Sequence, residues 1–418
     1  MIWLAWAGGA FLVWLILVFL FTPGINYHLS QRTSVHHKDF LYTIQSTCQA
    51  ALYHGNRVTV FTDGPAFYPA MLDAIRGAAR SINMECYIFR HGQIAEQFID
   101  ALSERARNGV NVTIVVDAIG SFSLWGRPVA RLHAAGCRIE AYQRIRWYSL
   151  YRINNRTHRE LLVVDGSIAF LGGAGVADWW MYPPRRRKRP WRDTMVRVEG
   201  PVVSAIQGVT AENWLEVCGE ILTGPDYFPE LTPCGDTTAF VVKSSPSDRA
   251  TLSRVTFQLL IEGADHTVCI STPYFLPDRA LRRALVTMAE RGIAITVIVP
   301  GKHTDQRWVR LASRRMYGEM LKAGVRIFEY EPGMTHAKIL LVDDLWTVIG
   351  TTNLDNRSFE HNDEVNVAIR DVGVNARLAR DFDCDRASSH EISLRDWERR
   401  PVWEKLIGTV AWILERQQ

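Results

Sequence analysis

The side chains most able to do chemistry lie around Thr335-His336-Ala337-Lys338, ahead of the apolar run ending at Asp343, and around Gly350-Thr351-Thr352-Asn353 after the next one. The two runs read as buried strands joined at Asp343-Asp344. Side chains alternate along a strand, so His336 and Lys338 share one face and Ala337 takes the other. A hairpin return brings residues 350–353 back beside them. An imidazole, a fixed positive charge and an amide donor then meet at one point, which suits an anionic phosphate group.

The same frame occurs upstream, where Thr157-His158-Arg159-Glu160 precedes an apolar run to Asp165, with Gly172, Gly173 and Gly175 after the return; 178 residues separate the two histidines. The pattern is HxKxxxxD followed by GSxN. On these residues the chain resembles the phospholipase D superfamily over roughly residues 55–400, and its surroundings look most like the bacterial cardiolipin synthases of that superfamily. The second copy matches at His336, Lys338 and Asp343, with Thr351 for the usual serine and Asn353 in place. The first keeps His158 and Asp165 but has Glu160 where the family has lysine and Gly175 where it usually has asparagine.

The resemblance implies two duplicated phospholipase D-type α/β/α sandwich domains sharing one active site. It implies that one imidazole forms a phosphohistidine while the other protonates the departing alcohol, with no metal and no cofactor. Which ring attacks is not decided by the residues; the resemblance favours His158 as nucleophile and His336 as acid/base. Glu364 and Asp193 match the positions that orient the histidines, and Thr351 and Asn353 those that bind substrate. Asp165 and Asp343 belong to the motif's catalytic set. At strand turns, however, an Asp is expected to hydrogen-bond backbone, so both are read as structural to the motif. Glu160 shares a face with His158 and would repel a phosphate unless Arg156 or Arg192 neutralises it or it stays protonated. On this reading Glu160→Lys raises or restores turnover.

The elements that must position these groups are legible in outline. A chain of 418 residues exceeds what one core usually serves, so two domains are expected. With 47% apolar and 22% charged residues it is globular, and a net charge of +4 is too mild to argue for nucleic acid as a partner. Strands are expected at residues 57–62, 84–89 and 110–116, with helices at 94–107 and in the segment carrying Met71, Leu72 and Ile75. The succession returns as a strand at 267–272, a helix at 280–291 and a strand at 293–299, while Leu132 to Gly136 pairs with Met320 to Gly324. Alternating strand and helix favours an α/β sandwich with a partly parallel sheet. The domains expected are 40–230 and 231–400, with a boundary in the Pro-, Gly-, Thr- and Ser-rich residues 219–247. Seven cysteines show no disulfide or metal spacing, and Cys86, Cys137 and Cys269 read as buried thiols of a reducing compartment.

Residues 2–21 are an uninterrupted apolar run, and Pro23-Gly24 ends it. As a helix the run spans roughly 30 Å, the thickness of a hydrocarbon core. It lacks the basic leader of a cleaved signal peptide, so residues 1–23 are read as a retained single-pass anchor in a bacterial inner membrane. Arg32 and Lys38 follow it, which puts the catalytic body in the cytoplasm. Trp179, Trp180, Tyr182 and Trp191 flank the cations at 185–189, an arrangement expected to meet anionic headgroups. Residues 397–416 carry apolar positions at helical spacing, and residues 401–418 are read as an amphipathic helix that lies in the interface or caps the second domain. The expected partner is therefore an anionic phospholipid, phosphatidylglycerol, in its membrane, with no nucleic acid; the residues imply no oligomeric state. The resemblance implies transfer of a phosphatidyl group between two phosphatidylglycerols, giving cardiolipin and glycerol. The alternatives are a phosphodiesterase of the same superfamily, cutting lipid or nucleic acid, and a lipid-binding relative without turnover, suggested by Glu160 and Gly175.

Overall fold

The computed structural model describes residues 27–144, 147, 154–184, 189–245 and 251–415, with residues 3, 6–11, 13 and 14. In the first half the strands are β1 (Tyr53–Thr62), β2 (Ser81–Cys86), β3 (Asn111–Asp117), β4 (Arg138–Tyr142), β5 (Arg156–Thr157), β6 (Glu160–Val164), β7 (Ile168–Gly172) and β8 (Thr194–Glu199). The second half adds β9 (Thr237–Ser244), β10 (Thr267–Ser271), β11 (Phe275–Leu276), β12 (Ala294–Pro300), β13 (Arg326–Tyr330), β14 (Ile339–Val342), β15 (Trp346–Gly350), β16 (Leu354–Asp355), β17 (Asn362–Arg370) and β18 (Ser389–Glu391).

One mixed sheet runs β18-β13-β12-β10-β14-β15-β17-β9-β1-β8-β7-β6-β2-β3-β4. Read outward from the antiparallel β1–β9 pair, the two directions repeat one another, with β8, β7, β6, β2, β3, β4 answering β17, β15, β14, β10, β12, β13. The duplication in the sequence is thus a near-twofold arrangement of one sheet. Gly136 and Gly324 occupy the same position before β4 and β13, each with φ near the left-handed region that glycine tolerates (97° and 98°).

Alternation along each strand divides the core. Leu162 and Val164 face helices Gly64–Gly77, Gln93–Arg107 and Arg127–Ala134, whereas Leu340 and Val342 face helices Lys38–Thr47, Leu252–Gly263, Arg279–Glu290 and Arg307–Lys322. The odd positions, Leu161 and Val163 with Ile339 and Leu341, join a third core under helices Val203–Cys218 and Val372–Ala387 that contains residues of both halves. Each fully buried leucine of this kind contributes about 2 kcal/mol. Helices on both faces make the α/β/α layering.

Two expectations change, at Cys86 and Cys269, and one of two alternatives for the last helix is realised. The strand expected at 84–89 ends at Cys86, because the backbone N–H groups of Ile88 and Phe89 turn away to Glu160 and to Ser121. Cys86 and Cys137 are buried, but Cys269 is only partly so, since it lies on the sheet face where the helix cover thins. Helix Val402–Glu415 packs on helix Arg307–Lys322, where Glu404 accepts from Arg314 (2.7 Å) and Gly408 lies against the Leu311 carbonyl, yet Val402, Trp403 and Leu406 stay exposed. It therefore caps the second half and also presents an apolar face. Among the described residues no helix is long and apolar enough to cross a membrane; most of the run at 2–21 and the cations 185–188 lie outside them.

Candidate active site

His158 directly follows β5 and stands two residues before β6, where its strand partner comes from the other half. β5 pairs in parallel with the start of β17, and the His158 N–H donates to the Asp363 carbonyl (2.9 Å). This register carries Glu364 to the imidazole, with Nδ1 3.1 Å from its carboxylate. Thr351 donates to the same carboxylate at 2.5 Å and Asn362 at 3.2 Å, which holds it in place. The Tyr87 ring lies against the His158 ring, centroids 5.0 Å apart.

The second half-site is built the same way with the halves exchanged. Arg192 bridges to Thr335, and the His336 N–H donates to the Arg192 carbonyl (2.7 Å). Asp193 then meets Nδ1 of His336 at 3.0 Å. Its oxygens also accept from the Trp180 indole (3.0 Å) and the Thr194 N–H (2.8 Å). Trp180 and Trp191 flank the His336 ring, with centroids 5.6 and 5.5 Å away. Each histidine is thus oriented by the carboxylate of the opposite half. A carboxylate on Nδ1 fixes the tautomer and leaves Nε2 for a reacting centre.

The two half-sites converge on Lys338. Its ammonium donates to the His336 carbonyl (2.8 Å), rests 3.0 and 3.3 Å from the ring nitrogens, and feels the charges of Asp193, Glu364 and Glu160. Burial lowers its proton affinity, and those acids oppose the shift. His336 is held below the usual imidazole range, first by burial and then by Lys338, against the pull of Asp193. Burial works against the Asp193 carboxylate too, but His336 and Lys338 outweigh it and keep Asp193 below its ordinary range.

Neither arginine named from the sequence reaches Glu160. Arg156 donates to the Gln143 carbonyl and lies 3.6 Å from Asp117, and Arg192 pairs with Asp385 at 3.0 Å. Burial instead raises the Glu160 carboxyl well above the carboxylate range, which favours its protonated form. Its Oε1 accepts from the Ile88 N–H at 3.0 Å. Gly175 belongs to the same arrangement, since a Cβ there would run into the Ile88 carbonyl and sit 2.8 Å from Glu160 Oε1. The two departures from the motif are one steric unit.

Asp165 and Asp343, which the motif's catalytic set includes, take the structural role read from their place at strand turns. They lie at the far ends of β6 and β14 from the histidines, with φ of 53° and 52°, and their carboxylates collect the backbone N–H groups of residues 79–81 and 265–267. Replacing Asp343 with alanine removes the acceptor of three part-buried donors, so denaturant unfolding should show a loss of about 3 kcal/mol, with turnover per folded molecule unchanged. A turnover defect without destabilisation would return Asp343 to the chemistry. Asn353 is buried near Ser358, its side-chain oxygen without a partner.

The tryptophans read as membrane-facing are also corrected. Trp180 is fully buried and Trp191 half-buried, and both wall the His336 pocket. Their nearness to Asp193 in sequence was the one available signal. Tyr87 and the Tyr274–Asp305 pair (2.6 Å) had none, although Asp305 reaches both His336 and Lys338 electrostatically.

Residues 71–188 and 258–386 match the family described as cardiolipin synthase, PLD-like domain. A cardiolipin synthase of Oceanobacillus iheyensis is 32% identical over 90% of this chain and 78% of its own length. The major cardiolipin synthase ClsA of Bacillus subtilis is 30% identical over 93% and 81%, and cardiolipin synthase A of Pseudomonas syringae pv. syringae 34% over 82% and 71%. Among solved structures, phosphatidylserine synthase of Haemophilus influenzae Rd KW20 superposes with a TM-score of 0.66 over 90% of this chain and 98% of its own, at 14% identity, a likeness of fold alone.

Proposed function

The chain belongs to the cardiolipin synthase family of the phospholipase D superfamily, and from that premise we propose that it moves the phosphatidyl group of one phosphatidylglycerol onto the headgroup hydroxyl of another. Its activity is that of a cardiolipin synthase, a phosphatidyltransferase. What supports the route is the pair of imidazoles, each backed through Nδ1 by a carboxylate, with both carboxylates facing the Lys338 ammonium.

In this route Nε2 of His158 attacks phosphorus, the bond to the departing glycerol oxygen breaks, and His336 supplies the proton that oxygen needs. A hydroxyl of the second phosphatidylglycerol then attacks the phosphohistidine, His336 takes its proton, and the P–N bond breaks to restore His158. The lowered proton affinity of His336 leaves its neutral form ready to take the acceptor's proton in the second step, and makes its protonated form a stronger acid toward the departing alkoxide. Lys338 offsets charge on the phosphoryl oxygens. Burial of both rings (4% exposed at His336, 13% at the His158 side chain) keeps water from competing with the acceptor alcohol, favouring transfer over hydrolysis.

Purified full-length protein with phosphatidylglycerol vesicles should release glycerol and cardiolipin in equal amounts by mass spectrometry. Accumulating phosphatidic acid would make it a hydrolase, and unchanged lipid would end the reading. A host without cardiolipin should acquire it on expression.

Membrane attachment follows from the substrate. The apolar run at 2–21 supports a single-pass anchor, with the body on the cytoplasmic side as Arg32 and Lys38 favour. Exposed Trp308, Val402, Trp403 and Leu406 lie on the two packed helices, and helix Arg307–Lys322 begins two residues after the site residue Asp305. Replacing Trp403 and Leu406 together with glutamate should lower turnover on vesicles on the order of tenfold. Turnover of a short-chain, monomeric phosphatidylglycerol should stay unchanged; equal losses on both would count against membrane contact by this face.

A further inference from the structure

Among the buried groups near the site, Glu160 is the one whose chemistry differs from the motif. It is 5% exposed, and Oε1 is committed to the Ile88 N–H while Oε2 has no partner. It shares a strand face with His158, two residues on, and its charge is felt by Lys338 and Asp193. The titratable groups around it are Cys86 from β2, Tyr68 from helix Gly64–Gly77, Asp193 and Lys338. The Ile88 N–H, the Cys86 thiol and then Lys338 favour its ionised form, and burial outweighs them. A buried carboxyl that keeps its proton has one to donate, and the partnerless Oε2, on the strand face shared with His158, is where it can be used.

Resting on the transferase reading above, we propose that Glu160 donates a hydrogen bond from Oε2–H to a non-bridging oxygen of the phosphoryl group in transfer, in the position a motif lysine would hold. Gly175 is the complement of that role. Any side chain there would displace the carboxyl from the Ile88 N–H that fixes its rotation. No bond is made or broken at Glu160; it acts as one arm of an oxyanion site whose other arm is Lys338.

The sign of the pH effect follows. The donor exists while the carboxyl is protonated, so activity falls as alkaline pH removes that proton and puts a carboxylate against the phosphate. The expectation from the bare motif is reversed. A lysine at 160 would leave the Ile88 N–H without an acceptor and add a second cation beside the buried Lys338.

The test uses the full-length enzyme and its Glu160→Gln, Glu160→Ala and Glu160→Lys variants, with two readouts: cardiolipin formation against pH, and binding of inorganic vanadate by calorimetry. Glutamine keeps a neutral donor of the same shape, so kcat at pH 7 should stay within about threefold and the Glu160-dependent part of the alkaline fall should disappear. Alanine should lose about 100-fold in kcat with little change in KM, the usual scale for removing one oxyanion donor, and should bind vanadate about tenfold more weakly. Lysine should be no better than alanine.

A folded alanine variant with wild-type turnover, a glutamine variant as poor as alanine, or a gain on lysine substitution overturns the proposal. Should alanine not fold, the pH profile of the glutamine variant decides, and an unchanged alkaline fall rejects the role. Wild type that binds vanadate but makes no cardiolipin fails the transferase reading alone, and the vanadate contrast between alanine and wild type then settles Glu160. Wild type that does not bind vanadate removes both.

Discussion

His336→Ala should reduce cardiolipin formation by about 10⁴-fold or more, and His158→Ala by as much, yet the two variants should fail at different steps. Without His158 there is no group to attack phosphorus, so no leaving group can help. Without His336 the attack remains but the departing glycerol oxygen has no proton. A phosphatidyl donor whose leaving group is p-nitrophenol needs none, so it should release a burst of p-nitrophenol from His336→Ala and leave an acid-labile phosphatidyl-enzyme. The same donor should give nothing with His158→Ala. The reverse pattern would exchange the two roles, and turnover retained in either variant with glycerol as leaving group would remove the shared two-histidine site.

Asp193→Asn should be nearly as damaging, by about 10³- to 10⁴-fold in kcat, although the site of change is a positioning residue and never touches substrate. The carboxylate fixes Nδ1–H of His336, and an amide in its place can present its NH₂ and stabilise the wrong tautomer. Asp193 also raises the proton affinity of His336 against burial and Lys338, so removing it moves the alkaline limb of the pH–rate profile to lower pH. A purely structural role would lower the unfolding midpoint without moving that limb. Glu364→Gln is the matching experiment on His158, and because Thr351 and Asn362 also hold Glu364, its side chain should stay in place. More than a tenth of wild-type kcat in Asp193→Asn would end the orienting assignment.

Two repeated frames of alternating residues are local facts, and a strand's period of two needs no partner to be read. The sequence by itself therefore determined the duplication, the apolar hairpins at Asp165 and Asp343, the side of the strand on which His336 and Lys338 stand, and the family. It also marked Glu364 and Asp193 as orienting carboxylates, but not which histidine each serves. Those contacts span 206 and 143 residues, and their crossing is set by the near-twofold sheet, which no single segment encodes. Tertiary structure alone likewise decided that Trp180 and Trp191 pack on the His336 ring, and it supplied the distant backbone N–H groups that Asp165 and Asp343 hold at their strand turns. The fate of Glu160 belongs with these. Its charge state depends on how much water and which donors and cations surround it, and these are properties of the assembled core, where burial outweighs Ile88, Cys86 and Lys338 and favours the protonated form.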